Sequence, residues 1–134
     1  MTTSTNVHKK IKDLHPNEAI APGTGLCAGC GGLEGLRLGL KELGDDFLIC
    51  NAAGCFTLLS VYPFTPLKGS WLYTTMGGSV PAAQGVRDAL DIRMRYRGLE
   101  KKEDLNVIVV AGDGSSNDIG FWATSAAIHR GLDF

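Results

Sequence analysis

Nothing in this 134-residue sequence is extreme in charge, and that removes a first class of function. Thirteen basic and fourteen acidic residues leave a net charge of −1, which provides no basic face for a nucleic-acid backbone. No apolar run approaches the roughly 20 residues of a membrane-crossing helix. The opening stretch, MTTSTNVHKKIKDLHPNEA, is polar and charged where a secretory leader carries its apolar segment. These absences lead us to expect a cytoplasmic protein with neither a membrane nor a nucleic-acid partner. Disulfides are rare in that compartment, so clustered cysteines read as metal ligands or redox groups. There is no internal repeat either, since the 18 glycines fall in turns. The GxGxxG spacing of a nicotinamide-dinucleotide fold is also missing.

What remains is a globular chain, 44% hydrophobic and 20% charged, long enough to bury a core. Its most informative stretch is Val107–Gly120, VIVVAGDGSSNDIG. Val107 to Val110 reads as a strand buried on both faces. A small-residue turn follows, with Asp113 between Gly112 and Gly114, and we expect Asn117 or Asp118 to cap the next helix. Strand, glycine turn and helix start together present N–H groups to a phosphate. A carboxylate in that turn can add a Mg²⁺ that bridges to a diphosphate.

Upstream, residues 1–25 read as a polar arm, either disordered or wrapped over a partner, with His8 and His15 solvated. The domain proper takes residues 26–134. A helix is expected from about Leu33 to Leu43, burying Leu33, Leu36, Leu40 and Leu43. A strand at Phe47–Cys50 runs into the loop Asn51–Cys55, followed by a short apolar stretch, Phe56–Tyr62. A second strand, Ser70–Thr75, runs into Met76-Gly77-Gly78-Ser79. A helix from Val80 to about Tyr96 has Pro81 in its first turn and Val86, Ala89, Leu90 and Met94 as its buried stripe. Arg87, Arg93, Arg95 and Arg97 are expected to be solvated. A charged connector, Gly98–Asn106, leads to the stretch described above, whose helix ends near Arg130-Gly131. This alternation predicts an α/β fold, a mostly parallel sheet with helices on both faces and ligands beyond the strands' carboxyl ends. The chain stops just after a helix end, where another strand is expected, so the sheet is expected to be incomplete at the C-terminus.

Cys27, Cys30 and Cys55 lie in Gly-rich loops, whereas Cys50 lies inside an apolar strand and reads as core. Three thiolates complete neither a tetrahedral zinc site nor the usual four-cysteine iron–sulfur set. On the residues alone, zinc and iron both stay open.

In this order, the residues resemble the N-terminal part of the thiamine-diphosphate-binding β subunit of 2-oxoacid:acceptor oxidoreductases, the pyruvate:ferredoxin oxidoreductase group. Cys27-Ala28-Gly29-Cys30-Gly31 is similar to that family's CxGCG motif, Gly54-Cys55 to its third cluster ligand, and Gly112-Asp113-Gly114 with Asp118-Ile119-Gly120 to its GDG…DIG motif. The resemblance implies a thiamine-diphosphate-binding fold. It implies that Cys27, Cys30 and Cys55 hold a [4Fe–4S] cluster, and that Asp113 ligates Mg²⁺ with Gly112 and Gly114 near the diphosphate. Ser115, Gly54 and Gly77, in the loops that follow the three strands, are further cofactor-binding candidates. In the family, the fourth cysteine and the remaining Mg²⁺ ligands come later in the chain. The carboxylate that activates the aminopyrimidine comes from another subunit or domain. No catalytic residue is therefore assigned here, and Glu34 reads as surface.

The implied activity is oxidative decarboxylation of a 2-oxo acid in a hetero-oligomer, for which thiamine supplies the electron sink. The acyl group usually passes to coenzyme A and the electrons to ferredoxin, or to NAD through another subunit. Pyruvate, other 2-oxo acids, phenylglyoxylate and oxalate are all candidate substrates. Two other readings were weighed: a zinc-stabilised, non-catalytic assembly module, and a cluster-free thiamine-dependent decarboxylase.

Overall fold

The structure is a computed structural model that describes residues 10–61, 63, 65–98 and 105–134. His8, Tyr62 and most of the charged connector after Gly98 lie outside the described residues. Three strands form one sheet, β1 (Phe47–Ala52), β2 (Ser70–Thr74) and β3 (Asn106–Val110), in the order β2-β1-β3 and all parallel. Helix α1 (Gly31–Leu43) precedes β1, α2 (Ser79–Tyr96) joins β2 to β3, and α3 (Phe121–Arg130) follows β3. No helix among the described residues is long and apolar enough to cross a membrane.

Strand alternation sorts the core into two layers. Phe47 and Ile49 face one side with Val110, and α1 covers them with Leu40, Leu33 and Leu36. Cys50 and Val107 face the other side, covered by Ala83, Ala82, Val86 and Leu90 of α2. Burial pushes the Cys50 thiol up, away from ionisation, which keeps it a small apolar filler. Helices therefore cover both faces, as the alternating pattern predicts.

Several local expectations are corrected. Leu43 is 41% exposed, because the last turn of α1 passes the edge of the sheet. Ala89 is exposed, and the fully buried alanine of α2 is Ala83. The helix can then approach the sheet closely at its first turns. Arg87 is mostly buried rather than solvated, paired with Asp91 at 2.7 Å and donating to the Leu105 carbonyl at 3.3 Å. The strand at Phe47 continues through Asn51 to Ala52, since β3 pairs with it as far as Asn51 and β2 as far as Ala52. The apolar stretch after Gly54 is a tight helical turn, Cys55–Leu59.

The described part of the arm packs on the domain itself. Ile20 is buried in the α1-side core and bridges to Leu67. Glu18 accepts from Arg37 Nε at Oε2 and from Arg37 Nη2 at Oε1, both at 2.8 Å, and Lys41 Nζ lies 2.8 Å from the same Oε1. His15 stands 3.9 Å from Asp45. The Arg37 and Lys41 hydrogen bonds hold the Glu18 carboxyl down at about 2, from an ordinary 4.5. A depressed carboxyl stabilises the fold above its unfolded value, and that contribution is lost as pH falls from about 4.5 to about 2. Thermal melts across pH 5 to 2 should therefore fall less steeply for Glu18→Gln than for wild type. Parallel curves would show that the pair is solvent-screened and contributes nothing.

Candidate functional site

Helix α1 runs away from the strands' carboxyl ends, turns at Gly44–Asp46, and β1 runs back. Thirteen helical residues at ~1.5 Å and six extended residues at ~3.3 Å both span about 20 Å. Cys30, the residue that begins α1, therefore returns to the same edge as Cys55 after β1. Side-chain packing bears this out. A Cβ on Gly32 would meet Phe56 Cζ at 3.2 Å and Cys30 Sγ at 3.8 Å, and one on Gly25 would meet Leu58 Cβ at 3.7 Å. Both ends of the CxxC loop thus rest on the Cys55–Leu59 turn. Cys27 and Cys55 are exposed and Cys30 is half-buried, all as free thiols. The first N–H groups of α1 have no intrahelical partner and favour negative charge at that end.

The two cysteine loops are neighbours. Among the described residues, no three His, Cys, Asp or Glu side chains are grouped to hold one metal ion. Thiolates on one tetrahedral zinc stand only about 3.8 Å apart. In an iron–sulfur cluster each cysteine takes its own iron, so the ligands are spread wider. Thiolate donors suit a zinc ion and an iron–sulfur cluster alike.

The other half of the edge is built by the loops after β2 and β3. Gly114–Asp118 forms a wide turn, closed by the Ile119 N–H donating to the Gly114 carbonyl at 3.0 Å. Turns of this width recur at functional sites. The turn displaces the expected cap: Gly120, not Asn117 or Asp118, starts α3. Ser115 is 4% exposed, and its Oγ accepts the Gly77 N–H at 2.9 Å. Gly77 has a left-handed φ of +79° and lies against Gly120. Ser115 and Gly77 therefore brace two loops against each other, a role their sequence context did not reveal. Asp113 is exposed at the mouth of the turn, between Gly112, whose missing Cβ would meet nothing, and Gly114. An exposed carboxylate beside two bare stretches of backbone fits a metal-bound diphosphate. Gly54 lies in the Cys55 loop, its N–H donating to Thr57 Oγ1 at 3.2 Å. Glu34 is a surface residue 3.5 Å from Arg37, as expected.

Sequence reasoning missed Asn51. It is 1% exposed, and among the described residues neither Oδ1 nor Nδ2 has a hydrogen-bond partner. A polar residue just before a glycine loop was the available signal, obscured because the strand was expected to end at Cys50. A cavity of about 760 Å³ lies elsewhere, along the open side of β3 between Met94, Val107, Val109, Ala127 and Phe134. It carries none of the candidate cofactor- or metal-binding residues.

Comparison with known proteins agrees with this architecture. Residues 52–134 match the family model described as "Thiamine pyrophosphate enzyme, C-terminal TPP binding domain". Pyruvate synthase subunit PorB of Methanocaldococcus jannaschii is 40% identical over 117 residues, which cover 87% of this chain and 39% of that protein. The PorB subunit of Methanothermobacter thermautotrophicus is 37% identical over 115 residues, 85% of this chain and 38% of that one. Ketoisovalerate oxidoreductase subunit VorB of Pyrococcus furiosus is 28% identical over 134 residues, 99% of this chain and 42% of that one. The chain spans about two-fifths of the length of these curated relatives. By its parallel sheet, its braced glycine turns and the match over most of its length, the chain belongs to the thiamine pyrophosphate enzyme family, through the C-terminal TPP-binding domain.

Proposed function

We propose that the chain serves in the thiamine-diphosphate-binding subunit of a 2-oxoacid:acceptor oxidoreductase that works in the cytoplasm as a hetero-oligomer. The supporting observation is the return of α1 and β1 to one edge, which puts the CxxC loop, the Cys55 turn and the Asp113 turn at neighbouring strand ends. The names of the similar PorB and VorB subunits point to the same chemistry. Asp113 would hold Mg²⁺, and Gly112 and Gly114 would let the diphosphate approach the backbone. Cys27, Cys30 and Cys55 would hold a [4Fe–4S] cluster together with a fourth ligand. When bound, thiamine diphosphate supplies the electron sink that cleavage beside a 2-oxo carbonyl requires. The residues of this chain position that cofactor and offer thiolates to an electron acceptor at the same edge. Coenzyme A as acyl acceptor, and ferredoxin or an NAD-linked subunit as electron acceptor, complete the proposal.

Metal analysis tests it. The assembled protein, purified without oxygen, should carry iron and acid-labile sulfide. Replacing Cys27, Cys30 and Cys55 together by Ser should remove both and abolish electron delivery. Stoichiometric zinc in their place would favour an assembly module. Undiminished activity in the triple variant would favour a cluster-free decarboxylase.

A further inference from the structure

The Cys55–Leu59 turn carries one thiol and supports the loop that carries Cys27 and Cys30. Phe56 lies against Gly32, and Leu58 against Gly25. Whatever fixes this turn therefore fixes how the three cysteines stand to one another. Thr57 closes the turn around Cys55 with two of its groups. Its N–H donates to the Gly54 carbonyl at 3.0 Å, and its Oγ1 accepts the Gly54 N–H at 3.2 Å. So far this is an ordinary cap of a helical turn. The Thr57 hydroxyl then donates in its turn to Tyr73 Oη, at 3.3 Å.

Tyr73 belongs to β2, the edge strand beside β1. The ends of these two strands are also joined past the last ladder pair. The Ala53 N–H donates to the Thr74 carbonyl at 3.0 Å, and Thr74 Oγ1 donates to the Asn51 carbonyl at 2.9 Å. The backbone that enters Cys55 is thus fastened to β2 at Thr74, and the turn that leaves it is fastened to β2 at Tyr73. Tyr73 is 48% exposed, so its ring gains little from burial, and its hydroxyl is the group that meets the turn.

We propose that Tyr73 is a positioning residue that sets, through the Thr57 hydroxyl, where Cys55 stands against Cys27 and Cys30. This rests on the reading of these thiols as ligands given under Proposed function. Each bond in the chain joins residues of this chain alone, so it acts in the metal-free protein as well as in the loaded one.

The test uses the assembled enzyme, purified without oxygen, and compares wild type with Tyr73→Phe, Thr57→Val and Thr57→Ser. The first two keep size and lose a hydroxyl, whereas serine keeps it. Iodoacetamide is applied after the metal is stripped, and Cys55 alkylation is measured relative to Cys27, which is also exposed. We expect that ratio to rise about 2- to 10-fold in Tyr73→Phe and Thr57→Val, the factor set by one ordinary hydrogen bond. Thr57→Ser should restore the wild-type ratio. In the loaded protein, the iron–sulfur signal that disappears on replacing Cys55 should change shape in the same two variants and recover in Thr57→Ser. If Thr57→Val fails to fold, Tyr73→Phe carries the test. A ratio that does not rise, or an unaltered signal in a variant that keeps its iron, overturns the inference and leaves the cluster reading standing. Absence of iron and sulfide from the wild-type protein overturns the cluster reading, and the alkylation ratio then still decides whether Tyr73 holds Cys55.

Discussion

Gly120→Ala is expected to cost the protein both stability and cofactor affinity. The obstacle is space, not backbone torsion: Gly120 has an ordinary φ of −99°. A Cβ there would sit 2.9 Å from Gly77 Cα and in direct collision with the Ser115 carbonyl oxygen. All of these neighbours are backbone, so no side chain can swing aside. Overpacking of this kind costs about 2–3 kcal/mol. Relief can come only by parting the two loops that Ser115 and Gly77 hold together, and these loops flank Asp113. Thermal unfolding should therefore drop, and affinity for Mg²⁺–thiamine diphosphate should drop with it. Gly39→Ala provides the contrast. It lies in mid-helix with nothing within 4 Å of the added atom, so helix propensity should make it up to about 1 kcal/mol more stable. A Gly120→Ala protein that melts with wild type would show that the loops are not packed as described.

Asp113→Asn is expected to weaken Mg²⁺–thiamine diphosphate binding in the assembled enzyme by about 100-fold. Mg²⁺ is typically held by one or two carboxylates together with substrate phosphates, so losing one charge removes a large share of the protein's hold. Even outer partners of metal ligands typically change affinity by about 10–100-fold. The substitution keeps size and shape, and Asp113 is exposed, so the melting temperature without cofactor should stay put. Titration of the cofactor at fixed Mg²⁺ separates the outcomes. An unchanged Kd would remove Asp113 from the ligand set.

The sequence revealed the layers more readily than the joints between them. Short apolar or aromatic runs leading into glycine loops marked all three strands. Ile20 was hidden because a single apolar residue in a polar segment has no period, and its partner Leu67 lies 47 positions away. Leu43 fits the leucine stripe, but amphipathic spacing does not say where the sheet beneath a helix ends. Ala83 is too small to weigh in a hydrophobicity pattern, although smallness is what close packing on β1 and β3 selects. At the site, the glycine motifs were legible as motifs. The Ser115–Gly77 brace was not, because it joins residues 38 apart through a turn wider than a normal helical one. Asn51 was obscured by a boundary error of two residues.

The equal reach of α1 and β1 makes the helix a measuring rod for the thiol pair. One inserted residue in α1 would carry Cys27 and Cys30 about 1.5 Å further out and swing them about 100° around the helix axis. Cys55, anchored by the strand, would stay where it is. The distance in sequence between the two halves of the cysteine motif is therefore set by a phase relation. Single insertions and deletions there should be far less tolerable than substitutions along the solvent side of the same helix.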